Sequence, residues 1–578
     1  MEASGAAVNH RARLGERVAD LAALPHRPGM ARSPVAAPGG SVEEFDVVVV
    51  GSGGAALSAA AGALGVGGTV LVCEKAPVHG GTTSCSGGVA HIYANGFMAA
   101  NGIDDPRPEA LAYMARVAYP GAYDPEAPTL GLLADDFELL TTYYDRGAEV
   151  MGRLAALGAV RMEAPWKAWD GRPFPDYYDF PENAAPRGRG VQAVADGTAA
   201  GNGGELVRQL VAYAEGFGTE VRCSNRVVDL VVSEGTVTGV VVDDGSACRE
   251  VRARGGVVFG SGGFAHDPEL RERFLLAPVV GGSGVPSNTG DLVRMAPRTG
   301  AALGPMHHGW WNQVVLEAAD DYANSVLDVW AVPGDSMLMV NRFGVRAVGE
   351  KREYESRGRV HHVYEHDEYV NRLMFMVYDE RTARLFGGRY PIPPPGAVAD
   401  YVVVATGVEG LAAALEARLS GPARAAMPPG MAPVALAPSF ASTLASTIER
   451  FNAMARAGID EDFARGTRPV EVAFHGPPAE DNQLANPLMF PLDTGGRLFA
   501  ILLVGSTFDT NSGPRIGTEG QILGVDGPIP GLYGAGNCVD GVFGEGYPGG
   551  GSTIGPGMVF GVLAGEHAAR RSPRVPSR

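Results

Sequence analysis

Four short stretches of the 578-residue chain hold residue types that do chemistry when brought together. In VVVVGSGGAALSAAAG, Gly51, Gly53 and Ala56 fit the pattern G-x-G-x-x-A, with Gly54 and Ala55 inside it. Gly51 permits a tight turn, Gly53 lets backbone approach a pyrophosphate, and Ala56 allows a helix to pack closely on a strand. The phosphates then sit at a helix N-terminus, where free N–H groups and the dipole favour anions. Glu74, followed by Lys75, comes about 20 residues beyond the turn, where a carboxylate accepts hydrogen bonds from ribose hydroxyls. HGGTTSCSGGVAH, residues 79 to 91, supplies further glycines and hydroxyls immediately after that acid. The fourth stretch, GEGYPGGGSTIGPG from Gly544 to Gly557, gives half its positions to glycine and carries Tyr547 and Thr553. The apolar run Met558 to Ala564 follows it, so it reads as a loop feeding a helix, and such loops commonly receive a ligand.

These residues need elements to hold them. EFDVVVV has five apolar residues broken only by Asp46 and reads as a buried strand; the small-residue run after the glycines is a helix, and TVLVCE is a second buried strand. Together they make a βαβ unit. The glycine turn alone fits NAD or FAD. The second cradle at residues 79 to 91 favours extended FAD, because a nicotinamide site has no need for a second phosphate-and-ribityl cradle there.

Composition bounds the rest. A chain that is 45% hydrophobic and 19% charged buries a large core and holds two or more domains. The formal net charge of -18, without an Arg-rich stripe interleaved with aromatics, argues against a nucleic-acid partner. Five scattered cysteines suit a reducing compartment, and no Cys/His spacing would hold a metal. No run of eighteen apolar residues spans a membrane, and residues 1–43 lack a signal-peptide core; they read as a disordered extension or a misassigned start of a soluble, cytoplasmic protein.

GxGxxA, Glu74-Lys75 and GGTTSCSGG together resemble the fumarate reductase and succinate dehydrogenase flavoprotein superfamily. The resemblance implies that Gly80, Gly81, Thr82, Thr83 and Ser84, with Ser86, Gly87 and Gly88 after them, line non-covalently bound FAD. GLYGAGN, with Gly536 and Asn537, is similar to the superfamily's second FAD strand. GGVVFGSGGFAHDPEL, with Gly262, and NTGDLVRMAPRTGAAL, with Asp291, resemble its ATGGF and GDG segments, although Leu292 replaces the last glycine of the latter. Fumarate reductases carry a cationic H-G-x-N-R cluster near the C-terminus; in that register Phe543 and Tyr547 stand here for histidine and arginine, so a dicarboxylate finds no counter-charge. YPGGGSTIGPGMVFG is instead similar to the Y-P-G-x-G-x-T-I-G-P motif of the 3-ketosteroid 1-dehydrogenases.

That resemblance implies an α/β fold: a discontinuous Rossmann-like FAD domain over 44–308 and 500–574, with an inserted α+β catalytic cap over 309–499. It makes the Tyr547 hydroxyl and the Gly551 N–H a pair of donors to a ketone oxygen. Ser552, Thr553 and Ile554 then open a helix aimed at the flavin. MLMVNRFGVRAVGEKREY resembles the family segment V-N-x-x-G-x-R-F-x-N-E-x-x-x-Y, which puts Tyr354 on the proton-abstracting tyrosine, although Ala347 and Gly349 replace its Phe and Asn; the alternatives for that role are Tyr364 and Tyr369. FPDYYDFPE resembles Y-x-D-Y-x-P-E; an ungapped match puts Asp179 on the tyrosine, and Tyr178 one place before is the candidate, with Tyr177 beside it.

The implied reaction removes the C2 proton of a 3-ketosteroid as hydride leaves C1 for flavin N5, forming a 1,2-double bond, with an external electron acceptor such as a quinone completing the cycle. A tyrosine base titrates near 10, so it needs an acidifying neighbour or a relay through Tyr178. Trp310, Trp311 and Phe543 are candidates for an apolar wall, and His307 and His308 for a proton relay. The rival readings are a related flavin-dependent enone reductase or dehydrogenase, and a non-catalytic FAD-binding subunit.

Overall fold

A computed structural model describes residues 42–195, 199–280, 282–318, 328–397, 399–427 and 434–573. In chain order, the elements that position the site are β1 (Glu43–Val50), α1 (Gly54–Gly65), β2 (Val70–Cys73), β3 (Cys248–Phe259), β4 (Gly309–Val315), β5 (Met337–Asn341), α2 (Tyr354–Arg359), β6 (Leu373–Asp379), β7 (Arg497–Thr510), β8 (Gly527–Gly534) and α3 (Ile554–Arg571).

The valines of β1 are buried on both faces, as a strand covered on both sides requires. It lies between β2 and β3, in the order β8-β3-β1-β2, with all three pairings parallel. Val50 pairs with both Cys73 and Phe259, and Phe259 pairs with Gly534, so four strands end level. Gly51, Glu74, Gly260 and Ala535 therefore follow side by side at the carboxyl edge, where open α/β sheets bind ligands. α1 and α3 pack against each other through small residues: a Cβ added to Gly62 would lie 2.6 Å from the Val562 carbonyl oxygen. This explains why both helices are rich in alanine and glycine.

A second sheet is antiparallel, in the order β4-β7-β6-β5, with Val402–Thr406 also paired to β7. Its strands are apolar on both faces: Leu338 and Val340 of β5 pack into one core, Met337 and Met339 into another. β7 runs past 499 as far as Thr510, so the sheet of the inserted domain overruns the boundary read from the sequence. Its far end reaches the first domain, where the Asp509 carboxylate accepts from the Gly263 N–H at 2.7 Å and Thr510 Oγ1 accepts from the Phe264 N–H at 2.9 Å. The fold is thus α/β, a Rossmann-like domain interrupted by an α+β insertion. Residues 1–41 and 574 of the sequence-based boundaries lie outside the described residues. No described helix is long and apolar enough to cross a membrane.

Candidate active site

A cleft of about 980 Å³ runs along the carboxyl edge of the parallel sheet. Gly51, at φ 101°, has no room for a side chain, since a Cβ would lie 2.6 Å from the Gly260 carbonyl oxygen. A Cβ at Gly53 would meet nothing nearer than Thr83 Oγ1 at 3.5 Å and would project into the cleft instead. Ala56 packs on Gly260 from the helix side. Glu74 is buried: its Oε2 accepts from Ser52 Oγ at 2.6 Å and its Oε1 from the Ala76 N–H at 2.7 Å. Ser52 Oγ also accepts from the Gly80 N–H at 2.9 Å, tying the two glycine loops together. Thr83 Oγ1 accepts from the Gly54 N–H at 3.0 Å.

Farther along, Lys75 Nζ donates to Asp291 at 2.5 Å and Arg226 to the same carboxyl at 2.9 Å. Burial opposes the Asp291 charge, but these two cations hold its carboxyl below the ordinary value. Gly262, Gly536, Asn537, Thr553 and Ile554 close the other end. A buried Ser261 Oγ lacks any partner there, and burial pushes Asp509 up to about 6 against the amides that bind it. An elongated cleft with a side-chain-free cradle, acceptors at one end and a helix N-terminus at the other fits a dinucleotide such as FAD. Ser84 lies outside it, donating to the Gly81 carbonyl at 2.9 Å, and Ser552 holds the loop by donating to the Gly549 carbonyl at 2.7 Å.

A second cavity of about 990 Å³ shares Thr82, Ser86, Thr553 and Ile554 with the first, and Gly87 and Gly88 line it too. Three tyrosines meet on its wall. The Tyr177 and Tyr354 rings lie 5.4 Å apart edge to face, Tyr354 and Tyr547 5.6 Å, and Tyr177 and Tyr547 stack at 5.7 Å. The Tyr177 hydroxyl donates to the Tyr354 oxygen at 2.9 Å. Burial raises the Tyr547 phenol above its ordinary value, while hydrogen bonds from Tyr354, Thr553 and the Gly551 N–H to its oxygen pull the other way. Burial, reinforced by the neighbouring phenols, raises Tyr354 well above 10.

Local sequence fixes this loop. Gly551 sits at φ 96°, where a Cβ would lie 2.5 Å from the Val89 carbonyl oxygen, and its own carbonyl accepts from the His91 N–H at 3.2 Å. The Pro548 carbonyl accepts from the Tyr177 N–H at 2.9 Å and the Tyr113 hydroxyl at 2.7 Å. Beneath it, His91 Nε2 lies 3.0 Å from Asp176, and Arg189 bridges Asp176 and Asp105, all of them buried. Burial works against the Asp176 charge, but Arg189 and His91 keep its carboxyl below the ordinary range.

Tyr178 is corrected to Tyr177. Successive residues of an extended segment point to opposite sides, so Tyr177 enters the cavity while Tyr178 stacks on Phe180 at 5.3 Å. Tyr364 and Tyr369 pair across a separate two-stranded hairpin, and Tyr364 is exposed. Trp310 supports the site from behind: its ring meets Tyr547 edge-on at 5.2 Å and its Nε1 donates to Asn537 Oδ1 at 2.9 Å. Phe543 lies with Trp310 on a smaller adjoining pocket, and Trp311 packs against His362 elsewhere. Burial, with His307 and Arg359 nearby, pushes His308 down to about 3, leaving it neutral and off the cavity wall. The cavity walls not foreseen are Trp166, Trp330, Phe508 and Asp328, which come from separate segments with no shared spacing. Among the described residues lining it there is no lysine or arginine.

A family model described as an FAD binding domain matches residues 46–554. The chain is 30% identical, over 92% of its length and 99% of the relative's, to the 3-oxosteroid 1-dehydrogenase of Mycobacterium tuberculosis (strain ATCC 25618 / H37Rv). It is 31% identical, over 91% of its length and 93% of the relative's, to the 4-oxocyclohexanecarboxylate 2-dehydrogenase of Sinomonas cyclohexanicum. The solved structure of 3-ketosteroid delta1-dehydrogenase from Sterolibacterium denitrificans shares the fold with a TM-score of 0.74 at 23% identity, covering 91% of this chain and 100% of that one. With its glycine cradle, buried Glu74 and paired tyrosine cavity, the chain belongs to the FAD-binding flavoproteins of the fumarate reductase superfamily, on the 3-ketosteroid 1-dehydrogenase-like branch, and is an FAD-dependent oxidoreductase acting on a CH–CH group.

Proposed function

We propose that the protein introduces a 1,2-double bond into a neutral cyclic ketone of the 3-ketosteroid class. The observation that supports this reading is that Tyr547, with its hydroxyl, and the Gly551 backbone stand together with Tyr354 on the wall of a largely apolar cavity that shares Thr82, Ser86, Thr553 and Ile554 with the FAD cleft. A carbonyl oxygen seated between those donors polarises, and the adjacent C–H becomes acidic because enolate charge develops on fixed dipoles rather than in water. Tyr354, on the same wall, accepts the proton from C2. Its burial and the neighbouring Tyr177 and Tyr547 phenols keep the resting phenol protonated, so the reactive form is the minor phenolate. Bound FAD supplies the two-electron acceptor for the hydride from C1, held by the Gly51–Ala56 turn, Glu74 and the start of α3. An external acceptor, a quinone or a compound of similar potential, then recovers the electrons.

The cavity's aromatic walls, Trp166, Trp330 and Phe508, match an extended apolar ring system. With no cation among the described lining residues, a dicarboxylate of the fumarate type is disfavoured. The test is turnover of 4-androstene-3,17-dione with an artificial electron acceptor, followed by mass and NMR analysis. A product lacking two hydrogens, with the new double bond at C1–C2, supports the reading; a double bond elsewhere, or an unchanged steroid, overturns it.

A further inference from the structure

Asp328 is the one carboxyl among the described residues lining the ketone cavity. It is buried, and its Oδ2 has no hydrogen-bond partner. Its backbone is nonetheless held firmly. Arg357, on α2, donates to the carbonyls of the next two residues, Val329 at 2.7 Å and Trp330 at 2.8 Å. Lys351 donates to Val332 at 2.5 Å and to Gly334, anchoring the same segment farther along. The carboxyl is therefore placed at the cavity by an ordered support.

Arg357 is fully buried, and all its hydrogen-bond partners are neutral: the two carbonyls above, the Arg352 carbonyl and Gln313 Oε1. A buried guanidinium without an ion-paired carboxylate needs a counter-charge within reach. Two carboxyls act on it, Asp328 and Glu353. Burial raises the pKa of both, Asp328 to about 7, and only Asp328 faces the cavity. The other titratable side chains lining the cavity are the phenols of Tyr177, Tyr354 and Tyr547, all raised by burial, and the thiol of Cys85.

We propose that Asp328 sets the charge preference of the cavity: its carboxylate, the one acid among the described lining residues, keeps out ketones that themselves carry a carboxylate. Removing that charge lifts the repulsion, so that anionic ketones compete with neutral ones. Protonation of Asp328 has the same effect, so discrimination against anionic ketones strengthens as pH rises through neutrality. The inference rests on the ketone-dehydrogenase reading above and names the substrate feature the site rejects.

The test compares 4-oxocyclohexanecarboxylate with its neutral methyl ester on the FAD-loaded full chain, as the ratio of kcat/KM for ester over acid. For the unaltered protein the ratio favours the ester and rises between about pH 6 and pH 8. In Asp328→Asn it falls by about tenfold or more and becomes flat with pH, whereas Asp328→Glu keeps the original preference. A ratio unchanged in Asp328→Asn overturns the proposal. Asp328→Ser serves as a second uncharged variant should the Asn protein fail to load FAD. If the unaltered protein turns over neither ketone, the charge preference is read from binding, as the ester-to-acid ratio of Kd seen in the flavin absorbance, while the functional reading stands or falls separately on turnover of 4-androstene-3,17-dione. Equal ratios across the variants in that binding experiment also overturn the proposal.

Discussion

A phenol that donates to a ketone must keep its proton, and burial of Tyr547 raises it and so favours that, with Gly551 on the same cavity wall as the proposed second donor. Removing that donor in Tyr547→Phe is expected to lower kcat by roughly 10²- to 10³-fold with little change in KM, as for other oxyanion-type donors; steady-state kinetics on a neutral ketone check this, and an unaltered kcat would exclude Tyr547 from the chemistry. Tyr354 works in the opposite sense, needing to lose a proton that burial makes it hold. The rate is therefore expected to rise with pH through the alkaline range, and Tyr177→Phe, which deletes a neighbouring phenol that raises Tyr354, should move that rise to lower pH. A pH–rate profile of the two proteins decides it, since a merely structural role for Tyr177 would lower the rate without moving the profile. The resemblance to family motifs singled out Tyr547, Gly551 and Tyr354 in the sequence, and the fold brings the three to one cavity wall. The choice between Tyr177 and Tyr178 was not legible, because a one-residue slip in an extended segment reverses which side chain faces inward. Asp328, Trp166 and Trp330 carry no spacing signal at all; they meet only once the two sheets are docked.

At the scale of elements, the level ends of β1, β2, β3 and β8 create the FAD cleft, and the βαβ pattern of alternating apolar runs and glycines makes two of those strands, β1 and β2, readable in advance. The double role of β7, which leaves the inserted sheet to bring Phe508 and Asp509 to the cleft, was hidden because a long apolar strand looks the same whichever domain it serves. Two substitutions test the elements. Gly51→Ala forces a side chain against the Gly260 carbonyl at a positive φ, so the protein is expected to purify without yellow colour, as absorbance will show. Asp176→Ala leaves Arg189 with one carboxylate partner instead of two and removes the His91 contact beneath the Gly549–Gly551 turn, for an expected loss of about 3–5 kcal/mol in unfolding free energy, read from denaturant melts. A loss below about 1 kcal/mol would show that the network is not what holds the loop.

For the whole molecule, buried carboxyls of two kinds set the pH dependence of stability. Burial raises Asp509 to about 6, Asp328 and Asp540 to about 7 and Glu355 to about 8. Each such group stabilises the fold fully below its ordinary value, and the contribution is lost as pH climbs through the raised one. Asp176, Asp291, Glu350 and Asp460 are held low by arginines and Lys75 despite their burial, and their contribution disappears as pH falls through the depressed values. The apoprotein should therefore melt at its highest temperature near pH 5 and lose stability toward pH 8, a trend calorimetry across that range will confirm or refute. The central claim is that a ketone held by Tyr547 and Gly551 loses hydride to FAD bound in the adjoining cleft. Its most direct test is anaerobic mixing of the FAD-loaded protein with 4-androstene-3,17-dione in a stopped-flow spectrometer. The account predicts that the yellow flavin absorbance bleaches in a single turnover, and does so roughly 10²-fold more slowly in Tyr547→Phe; a flavin that stays oxidised with the steroid present, or bleaches equally fast without that hydroxyl, would contradict it.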